Sequence, residues 1–220
     1  MKNLLPLALA LLGALPTHAS SFLAVDFTGN TTTDSNGPTV AGWSFQVTTP
    51  VLLYGIGFFD YGSDPTLIAP VQVGLWDPFG NLLASGTITG TTDVVVPSTD
   101  CCGEWLFLGN GSPIEELLPG TYVIGALAAQ TQSEVAAASI SSVFPGITFG
   151  ENLQGSGASG LAEPTITSSP FGTGFFGPNI LVGADPNASV PESASFGLVG
   201  AGLIVGVVVG RKTPTTGRVA

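Results

Sequence analysis

The chain has 220 residues and carries fifteen acidic side chains against four Lys and Arg and a single His. All basic side chains stand near the two ends of the chain, at Lys2, His18, Arg211, Lys212 and Arg218. Residues 20–192 therefore hold fifteen carboxylates and no cation, a formal charge of −15, which argues against nucleic-acid binding, imidazole-based catalysis and histidine-bound zinc. A carboxylate pair of the glycosidase type is the catalytic chemistry left open, and we expect a protein that is not an enzyme.

The N-terminal segment, residues 1–19, has the pattern of a secretory signal peptide. Lys2 supplies a positive charge, Leu4–Leu15 supplies a short apolar core, and small residues stand at the end of the segment. We expect cleavage between Ala19 and Ser20. An apolar core of this length is too short for a first transmembrane helix, so the sequence predicts an exported protein.

Residues 20–184 predict one all-β domain, an antiparallel β-sandwich of the jelly-roll-like kind, because short β-branched and aromatic runs alternate with Gly, Pro, Asn and Asp. The predicted strands are Phe22–Phe27, Trp43–Thr48, Leu52–Phe59, Val71–Trp76, Leu82–Thr89, Asp93–Val96, Trp105–Leu108, Thr121–Ala128, Ile147–Phe149 and Asn179–Val182. The clearest hairpin has its turn at Asp77–Asn81, where Gly80 suits a positive φ. Ser133–Ser142 is a weak helix candidate.

Two adjacent cysteines, Cys101 and Cys102, occupy a loop before a predicted strand. Thiols seldom stay free in an oxidising compartment, so these residues are a candidate disulfide with each other. Pairing between chains and free thiols remain alternatives. Redox catalysis is not expected, because the C-x-x-C spacing and a neighbouring cation are both absent.

Two loops concentrate carboxylates, Asp60–Asp64 and Asp100–Glu104. Oxygen ligands on loops suit calcium, although the spacing matches no EF-hand and solvated acids are the simpler interpretation. We therefore predict no cofactor and no metal ligand, and keep calcium as the ion to test.

Six aromatic side chains could act in either of two ways. As a platform they would stack against sugar rings, whereas in a sandwich such residues more often fill the core. The set comprises Trp43, Trp76, Trp105, Tyr54, Tyr61 and Tyr122.

The C-terminal part consists of a linker, residues 185–193, an uncharged apolar run, Ala194–Gly210, and a tail, residues 211–220. The apolar run would extend about 25 Å as a helix, which is the short end of what crosses a bilayer. The basic residues that follow it would keep the tail cytoplasmic. An ordinary single-pass anchor would share these features, apart from the Pro-Glu pair before the span.

This arrangement resembles the PEP-CTERM sorting signal. The predicted sorting motif comprises Val190, Pro191, Glu192, Ser193, Arg211 and Lys212. The resemblance implies recognition and cleavage by an exosortase, a membrane protease of Gram-negative bacteria that make extracellular polysaccharide. The chain departs from the family pattern at Ser193, where a second proline is usual, and at Thr213–Ala220, which continues past the basic pair.

The exported part is similar to a β-sandwich domain common among PEP-CTERM proteins. The resemblance is carried by Gly42–Val47, Gly55–Asp60, Val73–Asp77, Gly80–Ser85, Leu118–Ala126, Gly146–Phe149 and Gly174–Asn179. These motifs are structural, so they imply fold and location rather than chemistry. We expect transient anchoring in the inner membrane, then a place at the cell surface or among extracellular polysaccharide. A carbohydrate-binding module is the alternative.

Overall fold

The computed structural model describes residues 21–29, 32–33, 39–61, 67, 69–90, 94–98, 103–109, 111–128, 133–134, 138–167 and 177–184. These residues lie in the first of two compact units, Met1–Pro186 and Asn187–Ala220. The described chain is all-β, with antiparallel strands and no helix, so it holds no helix able to cross a membrane. The predicted signal peptide, apolar span and tail lie outside the described residues.

The strands are mostly short, and their bounds follow the β-branched and aromatic runs of the sequence. They are β1 Phe22–Leu23, β2 Val25–Gly29, β3 Thr32–Thr33, β4 Thr39–Val47, β5 Val51–Tyr61, β6 Val71–Trp76, β7 Leu82–Ile88, β8 Val94–Pro97, β9 Gly103–Leu108, β10 Glu115–Leu117, β11 Gly120–Ala128, β12 Ser133–Glu134, β13 Ala138–Val143, β14 Ile147–Ser156, β15 Ile166–Thr167 and β16 Pro178–Ala184.

Two six-stranded antiparallel sheets dominate the described chain. The first has the order β1-β16-β5-β9-β8, with β10 also paired to β5, and the second has the order β15-β14-β4-β11-β6-β7. Two short pairs, β12 with β3 and β13 with β2, accompany them. Because β4 and β5 follow one another in the chain but belong to different sheets, residues 48–50 carry the chain from one sheet to the other.

One hydrophobic cluster contains side chains from both large sheets. The rings of Phe27, Phe59 and Trp105 meet edge to face with centroids 5.0–5.4 Å apart. In the second sheet Trp43 is also buried, and its indole N–H donates a 2.8 Å hydrogen bond to the carbonyl of Pro178 in the first sheet. Each such side chain contributes about 1.5–3 kcal/mol of burial free energy, and the indole bond fixes where the sheets meet.

The predicted hairpin is confirmed, because β6 and β7 pair directly and the Asp77–Asn81 turn joins them. Gly80 has φ of 79°, the left-handed conformation that a glycine adopts without strain. The helix candidate at Ser133–Ser142 is wrong, since the described residues there belong to β12 and β13. Antiparallel pairing of β13 with β2, which packs Ile140 against the core, outweighs the local helix preference of alanine.

Candidate functional site

The β6–β7 turn is held by a single carboxylate. Asp77 Oδ1 accepts hydrogen bonds from the backbone N–H groups of Phe79 and Asn81, each 2.8 Å long, and Oδ2 accepts one of 2.9 Å from the Asn81 side chain. The Asn81 side-chain bond is the largest of the effects that hold the pKa of Asp77 below its ordinary value. This network fixes the backbone of the turn, and the side chain of the outermost residue takes no part in it.

Phe79 is that outermost residue, and 87% of its surface is exposed. The β6–β7 turn lies against the turn before β11, because a Cβ placed on Gly120 would come within 2.9 Å of Pro78 Cγ. Leu118 and Pro119, in that second turn, are exposed as well. We call Pro78, Phe79, Leu118 and Pro119 the apolar tip. Contiguous exposed apolar residues are typical of contact surfaces.

Tyr122 connects the apolar tip to the hydrophobic core. Its hydroxyl donates a 2.9 Å hydrogen bond to the carbonyl of Leu118, and its ring stacks on Phe45 with centroids 5.6 Å apart. Burial raises the pKa of Tyr122, and the charges of Asp77 and Glu115 raise it further. The phenol therefore stays neutral and anchors the Leu118 turn to the core.

Two carboxylates stand opposite one another in the first sheet. Asp60 of β5 stands directly opposite Glu104 of β9 in the antiparallel ladder, and Asp60 is buried. Among the described residues, none donates a hydrogen bond to the buried Oε1 of Glu104. Like charges placed opposite one another across a ladder repel, so the opposition of these two carboxylates opposes folding.

The structure brings together one carboxylate from each of the two predicted acidic loops. Asp60 and Glu104 are neighbours, whereas Asp64 and Asp100 lie outside the described residues. In the described part of the chain, no group of three or more His, Cys, Asp or Glu side chains could hold a metal ion. Two carboxylates alone do not make a calcium site, which takes six to eight oxygen ligands.

Of the two interpretations of the six aromatic residues, the described residues support the core rather than a platform. Five of its six members are buried, namely Trp43, Trp76, Trp105, Tyr54 and Tyr122. The side chain of Tyr61 lies outside the described set. These residues fill the core, as the simpler interpretation predicted, and none of the five can stack on a sugar in this fold.

The remaining predicted site residues lie outside the described part of the chain. They are Ala19 and Ser20 at the signal cleavage, Cys101 and Cys102 of the candidate disulfide, and Val190, Pro191, Glu192, Ser193, Arg211 and Lys212 of the sorting motif. Sequence reasoning missed Phe79. A signal for it existed, because a large apolar residue between Pro78 and Gly80 occupies the outermost position of a turn.

Comparison with known proteins does not assign this chain to a family. No family model matches it, and neither a curated protein nor a solved structure shows significant similarity. Functional inference therefore rests on the residues themselves.

Proposed function

We propose that this is an exported, non-enzymatic surface or extracellular-matrix protein that is sorted by a C-terminal PEP-CTERM-like signal and associates with extracellular polysaccharide. In this proposal residues 1–19 are a signal peptide, residues 20–184 a jelly-roll-like β-sandwich, and residues 194–210 a transmembrane helix that holds the protein until an exosortase-type protease releases it. The two antiparallel sheets that share one hydrophobic cluster are compatible with a sandwich.

The observation that carries the proposal is the order of features at the C-terminal end. Pro191 and Glu192 come directly before an uncharged run, and Arg211 and Lys212 come directly after it. Basic residues on one side of a hydrophobic span set its orientation. The Pro-Glu pair is the feature that an ordinary anchor does not need, so the pair points to processing.

Intact-mass measurement of the mature protein tests the processing step. We expect a C-terminus near residues 190–193 and loss of the span with Arg211 and Lys212. Replacement of the motif, Pro191→Ala with Glu192→Ala, should leave the tail attached. The matched control is Pro186→Ala, a nearby proline outside the motif. Retention of Arg211 and Lys212 in all mature wild-type protein would establish a permanent anchor instead.

A carbohydrate-binding module is the second candidate, and the apolar tip is the observation that favours it. Phe79 is an aromatic residue on a fixed turn with 87% of its surface exposed, which suits stacking against the apolar face of a sugar. The formal charge of −15 would repel acidic polysaccharides, so the ligand expected is a neutral glycan.

Co-sedimentation with insoluble neutral polysaccharide tests this second candidate. Phe79→Ala should weaken binding roughly tenfold, which corresponds to about 1.4 kcal/mol of lost contact. Ile166→Ala is the control, because Ile166 is also an exposed apolar residue but lies on β15. Equal binding by wild type and Phe79→Ala would remove Phe79 from the site, and absence of wild-type binding would remove the candidate.

A further inference from the structure

The apolar tip lies at the end of the domain from which the chain continues toward the proposed span. β16 ends at Ala184, which stands opposite Val51 at the start of β5. On the other side of β5, Val51 stands opposite Leu117 of β10. Ala184 and Leu117 are therefore separated by two strand spacings, about 10 Å, and Leu118 of the apolar tip is the residue after Leu117.

The second large sheet brings the β6–β7 turn to the same end. Gly120 of β11 stands opposite Val47, the last residue of β4. Only residues 48–50 separate Val47 from the start of β5, so β4 ends where β5 begins. Pro78 of the apolar tip lies against Gly120. Both turns of the apolar tip are therefore beside the place where the chain leaves β16.

A further exposed ring lies at this end of the domain. Phe22 of β1 is 53% exposed and stands opposite Val182, two residues before the end of β16. The other end of β5 differs, because it carries the Asp60–Glu104 pair, about 30 Å along the strand from Val51. Exposed apolar groups therefore surround the exit of the chain, whereas the opposed carboxylates lie at the far end.

We propose that the apolar tip contacts the surface of a zwitterionic lipid bilayer while the chain is anchored. This inference depends on the proposed C-terminal anchor. Residues 185–193 are the whole connection between β16 and the apolar run, so Ala194 lies at most about 35 Å from Ala184 even if the connection is fully extended. A domain held this close to a bilayer meets the lipid with the surface around its tether, and the apolar tip is part of that surface.

The charge of the domain decides the class of lipid. Residues 20–192 contain no cation, and the described carboxylates near the apolar tip belong to Asp77, Glu115, Glu116 and Glu163. An anionic lipid surface repels such groups. A zwitterionic headgroup has no net charge, and its ammonium group can face a carboxylate. The contact is therefore with neutral lipid.

The contact needs the tether. A few apolar side chains bind a bilayer only weakly by themselves, as a single lipid chain does. A short tether makes the contact intramolecular, with an effective concentration in the millimolar range. We therefore expect the contact in the anchored chain and its loss once a protease releases the domain. The glycan candidate assigns Phe79 to a different ligand, so the test has to separate lipid from sugar.

Tryptophan quenching by brominated lipid tests the contact in the full-length protein, reconstituted in phosphatidylcholine vesicles. Phe79→Trp places a reporter on the apolar tip. The native tryptophans, Trp43, Trp76 and Trp105, are buried, and the wild type measures their background. We expect the added emission to shift to shorter wavelength and to be lost in brominated lipid, because apolar tips enter the boundary between headgroups and acyl chains.

Ile166→Trp is the matched control. Ile166 is also an exposed apolar residue, and it pairs with Gln154, which stands opposite Ala41. Ala41 is about 20 Å along β4 from Val47, so this reporter should keep its emission. Replacing part of the phosphatidylcholine with phosphatidylglycerol should reduce the loss at Phe79→Trp, and added salt should restore it.

Flotation of the protein with the vesicles separates the contact from the anchor. Protein that does not float would overturn the anchor and the contact together. Protein that floats, while Phe79→Trp emits equally in brominated and ordinary lipid, would overturn the contact alone. Equal losses at Phe79→Trp and Ile166→Trp would also overturn it, since they would show that no particular surface meets the lipid.

Two further outcomes decide the ligand. A contact that strengthens with phosphatidylglycerol would overturn the assignment to neutral lipid. An emission of Phe79→Trp that responds to neutral polysaccharide but not to brominated lipid would assign the apolar tip to a glycan instead. Leu118→Trp is the second reporter if Phe79→Trp does not fold, as judged by its melting transition, because Leu118 is also exposed on the apolar tip.

Discussion

Two carboxylate sites of the described chain differ in the hydrogen-bond donors that surround them. Asp77 is partly exposed and accepts three hydrogen bonds from the turn that it organises. Glu104 stands opposite Asp60 in a regular ladder, and no described residue donates to its buried Oε1. A domain without cations must stabilise carboxylates through N–H and O–H donors. A turn has such donors free, whereas a ladder has already used its own.

The largest effect on stability is expected when a carboxylate replaces the buried amide of Asn179. Asn179 is fully buried, donates a 2.6 Å hydrogen bond from Nδ2 to the carbonyl of Val25, and accepts one from the Ile180 N–H. Asn179→Asp would direct a charged oxygen at the Val25 carbonyl. We expect the free energy of unfolding to fall by about 3 kcal/mol or more at neutral pH.

Chemical denaturation at several pH values measures this effect. The new carboxyl should have a raised pKa in the fold, so the loss should grow as pH rises through the ordinary range of Asp and shrink in acid. Gln154→Glu adds a charge at an exposed position of β14 and serves as the control. Equal effects of the two variants would show that only net charge matters.

A smaller effect on stability, of opposite sign, is expected when one charge is removed from the Asp60–Glu104 pair. Glu104→Gln removes the charge that faces Asp60, and should stabilise the fold by up to about 1 kcal/mol at neutral pH. The control is Glu116→Gln, because Glu116 is exposed on β10 and faces Leu52 rather than an acid. Thermal melting compares them. A loss of stability in Glu104→Gln alone would mean that this carboxylate makes a stabilising contact.

The smallest effect on stability is expected from Asp77 in the β6–β7 turn. The folded pKa of Asp77 lies below the ordinary value of 3.8, so its contribution to stability is present above that pH and is lost as pH falls through the folded pKa. Asp77→Asn should lower the melting temperature slightly at neutral pH and have no effect in strong acid. Glu163→Gln, whose Oε2 lies near Gly80, removes a charge beside the same turn and is the control. A difference that persists in strong acid would show that the charge is not responsible.

The sequence predicted strands well where β-branched and aromatic residues were followed directly by residues that favour turns. β6 has the predicted bounds, and the Asp77–Asn81 turn has the predicted glycine conformation. β10 was missed because its Glu115-Glu116 pair is unfavourable in strands, and only pairing with β5 places it in the sheet. β14 extends past the predicted Phe149 to Ser156, since its pairing with β4 resumes after a bulge.

The candidate site was less predictable, because exposure depends on what packs over a residue from distant parts of the chain. Trp43 and Trp105 could be placed in the core from their apolar strands, and both are buried. Phe79 is also aromatic, but it stands in a turn rather than in an apolar strand, and it is exposed. The opposition of Asp60 and Glu104 depends on the register of β5 with β9, which no local pattern encodes.

The position of β16 has a consequence for the timing of folding. This last described strand lies between β1 and β5, and its residue Asn179 bonds to Val25, which is 154 positions earlier in the chain. The earliest strands therefore have no complete set of partners until almost the whole domain has been synthesised. Chains released before Pro178 should remain open rather than form a smaller domain, and closure should be a late, slow event governed by long-range pairing.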